Sequence, residues 1–191
     1  MRGRVLLVVL AVVLSLAASG CSTFRGAKTT AGQGYVNGDG TLRTVAVDRR
    51  TEPIDLRGHD LDGKPLSLTS MRGKPTVVNV WGSWCADCHA EQPKLVAAAQ
   101  ELGDQANFVG IDSRDNGTAQ AQAYVARYGI TWPSFFSPDG RAALAFSGSI
   151  GPNAIPSTVI LDPQGRVAAS IIGQVPGTAT LVEMVQAAAH G

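Results

Sequence analysis

The stretch from Thr76 to Cys88 restricts the fold of this chain more than any other. Thr76-Val77-Val78-Asn79-Val80-Trp81 is a continuous, β-branched run without regular polar alternation, the pattern of a central strand covered on both faces. A helix-like run begins at Ala86, where Leu95, Val96, Ala99 and Leu102 recur at helical spacing and Gly103 supplies a stop. Phe108-Val109-Gly110-Ile111 is the next strand. Strand, helix and strand in that order call for a right-handed parallel crossover, and α/β sheets keep their chemistry at the carboxyl ends of such strands.

Cys85 and Cys88 lie at that end. Two cysteines so placed can exchange one disulfide for two thiols. The helix points its unpaired N–H groups at the first sulfur and favours its thiolate, which makes Cys85 the nucleophile and Cys88, one turn further in, the resolving partner. The C-x-x-C spacing alone also suits a zinc site, but the strand before it and Trp84 beside it favour redox chemistry. As a purely structural staple the bond would do little, because it closes so short a loop. With His89 the motif also spells C-x-x-C-H, the attachment sequence of c-type haem, although a β-branched strand leading into it is a poor surround for haem. Two thiolates and an imidazole could instead bind copper.

The rest of the chain accommodates a single domain with appendages. It has 191 residues, 45% of them apolar, enough for an ordinary packed core, and its three cysteines are too few for a disulfide scaffold. A net charge of +1 gives no expectation of a nucleic-acid partner. Residues 1–20 form a secretory signal: Arg2 and Arg4 are its basic head, Val5 to Ala17 its apolar run, and Ala18-Ser19-Gly20 its small residues. The run is shorter than the roughly 20 residues of a spanning helix. Ala18-Ser19-Gly20-Cys21 resembles a bacterial lipobox, which implies lipidation at Cys21, although Ala18 stands where Leu is more usual. Residues 21–53, rich in Gly, Thr and charge, are expected to be a flexible tether, with Val45 and Val47 as an alternative short edge strand.

Residues 54–191 form the domain. Ile54 to Leu68 suggests a hairpin around Asp62-Gly63, and Ser67 to Met71 a short helical turn. Asp112 to Gly117 is a polar loop, Thr118 to Tyr128 a helix capped by Thr118 and ended by Gly129, and Pro133 to Phe136 a short strand. Ser157 to Leu161 and Arg166 to Ile172 flank the turn Asp162-Pro163-Gln164-Gly165 as an antiparallel hairpin, and Thr178 to Ala189 is a closing helix.

This order of elements, Trp84-Cys85-Ala86-Asp87-Cys88 at a strand-to-helix junction, and Ile155-Pro156 before the last hairpin resemble the thioredoxin fold. Gly73-Lys74-Pro75, Asn79-Val80-Trp81-Gly82-Ser83-Trp84-Cys85, Glu91-Gln92-Pro93 and the extra segment across Phe108 to Tyr128 resemble the TlpA/ResA/CcmG-like family of membrane-tethered thiol–disulfide oxidoreductases, over Ile54 to Ala189. The resemblance implies an α/β domain with a central mixed sheet flanked by helices, an N-terminal hairpin and an inserted strand–helix segment. It implies a cis Pro156 against the disulfide, with Ile155 and Trp84 completing a substrate-binding surface, and a proton-handling or substrate-contacting role for Glu91. From the residues alone, Glu91 is an exposed helical glutamate, and Pro93 kinks the helix.

The resemblance further implies no cofactor or metal beyond the Cys85–Cys88 disulfide. Its substrates are protein disulfides such as that of apocytochrome c, its electron donor a membrane thiol-transfer protein, and its place the outer face of the bacterial cell membrane, held by a lipid on Cys21. A disulfide-forming oxidase and a copper-delivery protein are the alternatives. Asp87 departs from the family, which often has proline there; a carboxylate so close to Cys85 opposes its thiolate and argues for a reducing couple.

Overall fold

The computed structural model describes residues 34–36 and 40–190. In chain order the elements are β1 (Gly34–Val36), β2 (Gly40–Thr44), β3 (Arg57–His59), β4 (Pro65–Ser67), β5 (Thr76–Trp81), α1 (Ala86–Leu102), β6 (Asn107–Ser113), α2 (Thr118–Tyr128), β7 (Ser134–Ser137), β8 (Ser157–Leu161), β9 (Val167–Gly173) and α3 (Thr178–Ala189). Seven strands make one mixed sheet in the order β1-β2-β9-β8-β5-β6-β7, and β3–β4 is a separate hairpin. β5, β6 and β7 run parallel, while β8 and β9 return antiparallel. The α/β architecture implied by the sequence, with its hairpin and inserted strand–helix segment, is the one observed.

β5 owes its unbroken apolar character to its position. It pairs with β6 on one edge and β8 on the other, and all of its side chains are buried. Val77 packs with Leu95 and Leu102 of α1 and Leu181 and Val185 of α3, whereas Val78 and Val80 pack on the opposite face with Ile111, Phe135 and Phe146. α1 turns Cys88, Glu91, Gln92, Leu95, Ala98 and Leu102 inward at helical spacing, and Gly103 ends it at φ 49°. Pro93 sits inside α1 on its exposed side.

Three local expectations need correction. β6 does not stop at Ile111: pairing with Trp81 of β5 and Phe136 of β7 carries the strand through Asp112, which is buried rather than part of a polar loop. The cap of α2 is Gly117 in an extended conformation, and Thr118 is the first residue inside the helix. The part of the expected tether that is described is not free chain. Gly40–Thr44 pairs with β9 from Gly173 to Ala169, Val47–Arg49 forms a 3-10 turn rather than a strand, and Arg50 Nη1 donates to the buried Asp162 Oδ2 at 3.1 Å. The backbone groups along β9 need a partner, and a Gly- and Thr-rich segment with one apolar anchor, Leu42, supplies it. Residues 1–20 and Cys21 lie outside the described residues.

Gly110 fixes the closest approach beneath the functional end of the sheet. A Cβ there would collide with Ser134 Oγ and stand 2.5 Å from Trp81 Nε1. Gly110→Ala is therefore expected to lower stability by about 2 kcal/mol through overpacking. Ser134→Ala in the same chain should recover part of the loss, read as a shift in the urea midpoint at constant slope.

Candidate active site

β5 ends at Trp81, and the chain turns through Gly82-Ser83-Trp84 before α1 begins. Cys85 is the N-cap of α1: its Sγ accepts the Cys88 N–H at 3.1 Å, where a serine or aspartate oxygen commonly sits. Cys85 and Cys88 are joined in a disulfide with their Cα atoms 5.2 Å apart. Cys85 is 6% exposed and Cys88 is fully enclosed, so only the first sulfur can be reached from solvent. The Cys88 N–H that caps the sulfur in the disulfide would stabilise a thiolate on Cys85 once the bond is reduced.

The surface around that sulfur comes from three places in the chain. Trp84 is 55% exposed, with its indole Nε1 donating to the Ser113 carbonyl at 3.2 Å. Ser83 is held by Asp115, whose carboxylate accepts the Ser83 N–H at 3.1 Å and the Ser83 hydroxyl at 2.7 Å. Ile155-Pro156 is a cis peptide immediately before β8, and Ile155 packs against the cluster of Trp81, Cys85 and Cys88. The sequence-derived residues Cys85, Cys88, Trp84, Ile155 and Pro156 thus converge at one end of the sheet.

Glu91 is not the exposed helical residue that its polarity suggests. Three residues beyond Cys88, it falls on the inward face of α1 and is fully buried. Asn79 Nδ2 donates to its Oε1 at 2.9 Å, and the Val175 N–H donates to its Oε2 at 2.9 Å. Burial pushes this carboxyl up to about 7 against the opposing pull of those two hydrogen bonds. Such a group, three residues beyond Cys88 on the inward face of α1, can take or give a proton near neutral pH.

His89 is clamped at both ring nitrogens. Nε2 donates to the Ser83 carbonyl at 2.9 Å, and Nδ1 lies 2.8 Å from the Tyr128 hydroxyl. Both ring nitrogens are thus engaged by protein groups. Among the described residues, no group of three or more His, Cys, Asp or Glu side chains is placed to hold a metal ion, and no helix is long and apolar enough to cross a membrane.

Several members of the site were not singled out in the sequence. Tyr124 stacks on Trp81 with centroids 4.4 Å apart, and its hydroxyl reaches the Cys88 carbonyl at 2.9 Å and Gln92 Oε1 at 3.1 Å. Burial holds its hydroxyl protonated well above the usual tyrosine range. Asn79 did leave a trace, as the one amide in an otherwise apolar and β-branched strand. Asp115 left none, because an acidic residue in a loop is ordinary. Asp87 is exposed and accepts from Gln174 Nε2 at 3.1 Å.

The AhpC/TSA family model matches residues 50–170. The chain is 28% identical over 118 residues to the thiol–disulfide oxidoreductase ResA of Bacillus thuringiensis, covering 60% of this chain. It spans only 64% of the length of that curated relative. Among solved structures, it is similar to a DsbF homologue from Corynebacterium diphtheriae, with 32% identity and a TM-score of 0.72 over 81% of this chain and 98% of that one. It is also similar to a secreted thiol–disulfide isomerase from Corynebacterium glutamicum, with 26% identity and a TM-score of 0.73 over 78% of this chain and 92% of that one. The fold is thioredoxin-like.

Proposed function

Because the chain belongs to the AhpC/TSA family, we propose that its Cys85–Cys88 pair makes it an extracytoplasmic thiol–disulfide oxidoreductase that reduces disulfides of other proteins. The observation that carries this reading is the asymmetry of the pair. Cys85 is reachable and caps a helix, whereas Cys88 is enclosed, three residues before the buried Glu91 on the inward face of α1. Both cysteines of the domain belong to the pair, which favours dithiol exchange over peroxide reduction at a lone thiol.

In the reduced protein, the Cys85 thiolate attacks one sulfur of a partner disulfide. A Cys85–partner bond forms, and the partner's other sulfur leaves as a thiolate that takes a proton from water. The Cys88 thiol then loses its proton, for which the Glu91 carboxylate is the suited acceptor, and attacks Cys85 Sγ. The Cys85–Cys88 bond forms and the partner's second thiolate departs. Two electrons have passed to the partner, and an external dithiol must return the pair to its reduced form. Trp84 and Ile155-Pro156 flank the reachable sulfur and offer an extended polypeptide its seat.

The disulfide of an apocytochrome c is the proposed substrate, a membrane thiol-transfer protein the proposed donor, and a lipid on Cys21 the proposed anchor to the outer face of the cell membrane. The family resemblance, the signal-like sequence pattern of residues 1–20 and the secreted neighbour from Corynebacterium glutamicum support these assignments. The Asp87 carboxylate beside the helix terminus favours a reducing couple, whereas the capping Cys88 N–H would favour the opposite direction, disulfide formation. Equilibration of the full chain with glutathione and dithiothreitol couples decides between them. A potential below about −200 mV is expected, and a value near −120 mV would assign an oxidase instead.

A further inference from the structure

Asp112 stands at the carboxyl end of β6 with its side chain wholly enclosed, and neither of its carboxyl oxygens has a hydrogen-bond partner among the described residues. The redox chemistry proposed above makes no use of it. Its cross-strand neighbours are Trp81 on β5 and Phe136 on β7, neither of which titrates. The charged group that acts on it is Asp115, from the loop after β6. Arg114, between the two acids, has a left-handed backbone at φ 67°, and its guanidinium is hydrogen-bonded to Asn153 Oδ1. The titratable groups that α1 and α2 bring to this end of the sheet are engaged elsewhere: Glu91 with Asn79 and Val175, His89 with Ser83 and Tyr128, and Tyr124 with Cys88 and Gln92.

A buried carboxylate without donors is far costlier than a buried carboxylic acid, and adjacent carboxylates do not readily ionise together. Asp115 is the member with donors, because its two oxygens accept the Ser83 N–H and the Ser83 hydroxyl. We propose that Asp112 is a positioning residue: its carboxyl keeps a proton and directs it at Asp115, which clamps Ser83 and so fixes the Gly82-Ser83-Trp84 loop beside Cys85. Burial first, and the Asp115 carboxyl second, push Asp112 up to about 8. Ionisation of Asp112 sets two negative charges against each other, and the grip on Ser83 slackens. Gly82 shows how little play the loop has, since a Cβ there would stand 2.6 Å from Trp84 Nε1 and 3.0 Å from the Ser113 carbonyl. The consequence for catalysis rests on the thiol–disulfide reading; the clamp itself does not.

The test is a pH titration of tryptophan fluorescence in the oxidised full chain, without substrate. The expected result is a transition centred near pH 8 that Trp84→Phe removes. Asp112→Asn, which can donate but cannot ionise, should abolish it. Asp115→Asn, which leaves no second charge for Asp112 to oppose, should abolish it as well. Asp112→Leu, with no proton to give, should show at pH 7 the spectrum that the wild type shows at pH 10; if that variant does not fold, Asp112→Asn decides alone. An alkaline transition that persists in Asp112→Asn overturns the clamp. If the transition behaves as expected but the wild type reduces no protein disulfide, the clamp stands and the proposed function fails.

Discussion

Cys85→Ser is expected to abolish protein disulfide reduction by the full chain, with a fall of more than about 10³-fold, whereas Cys88→Ser should arrest the reaction at a covalent adduct with its partner. The two losses differ because the two sulfurs differ. Cys85 is the only one at the surface and the one that α1 caps, so a hydroxyl in its place can neither ionise at neutral pH nor form the mixed disulfide. Cys88 is enclosed and acts only on the bond that Cys85 has made. Insulin reduction monitored by turbidity measures the first loss. Mass spectrometry of Cys88→Ser after exposure to a disulfide-bonded protein detects the adduct on Cys85. An active Cys85→Ser, or an adduct-free Cys88→Ser with normal turnover, would refute the assignment of roles.

The second large effect is on stability, through Glu91. In the folded chain this carboxyl holds its proton up to about pH 7, whereas its ordinary value is 4.5, so between those values the folded form binds more protons than the unfolded form. Stability from this group is therefore greatest below pH 4.5 and declines as the pH rises through 7, by about 3 kcal/mol in all. Asp112 slopes in the same direction up to about pH 8, so the wild-type curve alone does not isolate Glu91. The difference between wild type and Glu91→Gln does. Urea unfolding of the oxidised protein at pH 5 and pH 8 should show that the substitution removes most of that decline. A wild-type slope unchanged in Glu91→Gln would mean that the buried carboxyl is ionised throughout. The same substitution should slow the release of partner from the mixed disulfide, since Cys88 loses its proton acceptor.

Helix and strand periods made most of the domain legible, because burial wrote them into the chain. Thr76 to Trp81 is buried on both faces and shows no alternation; Thr178 to Ala189 has one inward face and shows it clearly. Cys85, Cys88 and Pro156 were legible because thiols and a proline at such junctions have few other uses. What stayed hidden depends on tertiary neighbours. Gly40–Thr44 has no pattern of its own, since one apolar side chain and a waiting strand edge are enough to order it. Asp112 looked like loop because its side chain is polar, yet its backbone pairs with two strands. Glu91 looked solvated because glutamate usually is; only the partners on β5 and after β9 show otherwise.

With the lipid anchor proposed at Cys21, the docking of β2 onto β9 would also set how far from a bilayer the sulfur pair could reach. A leash running free from Cys21 to residue 53 could be paid out to roughly 110 Å, but with β1 and β2 zipped to the sheet, the number of residues between Cys21 and Gly34 limits the reach to at most roughly 45 Å. Held by a lipid at Cys21, the sulfur pair would patrol a shallow zone above the headgroups, and its customers would be polypeptides that present their cysteines within it.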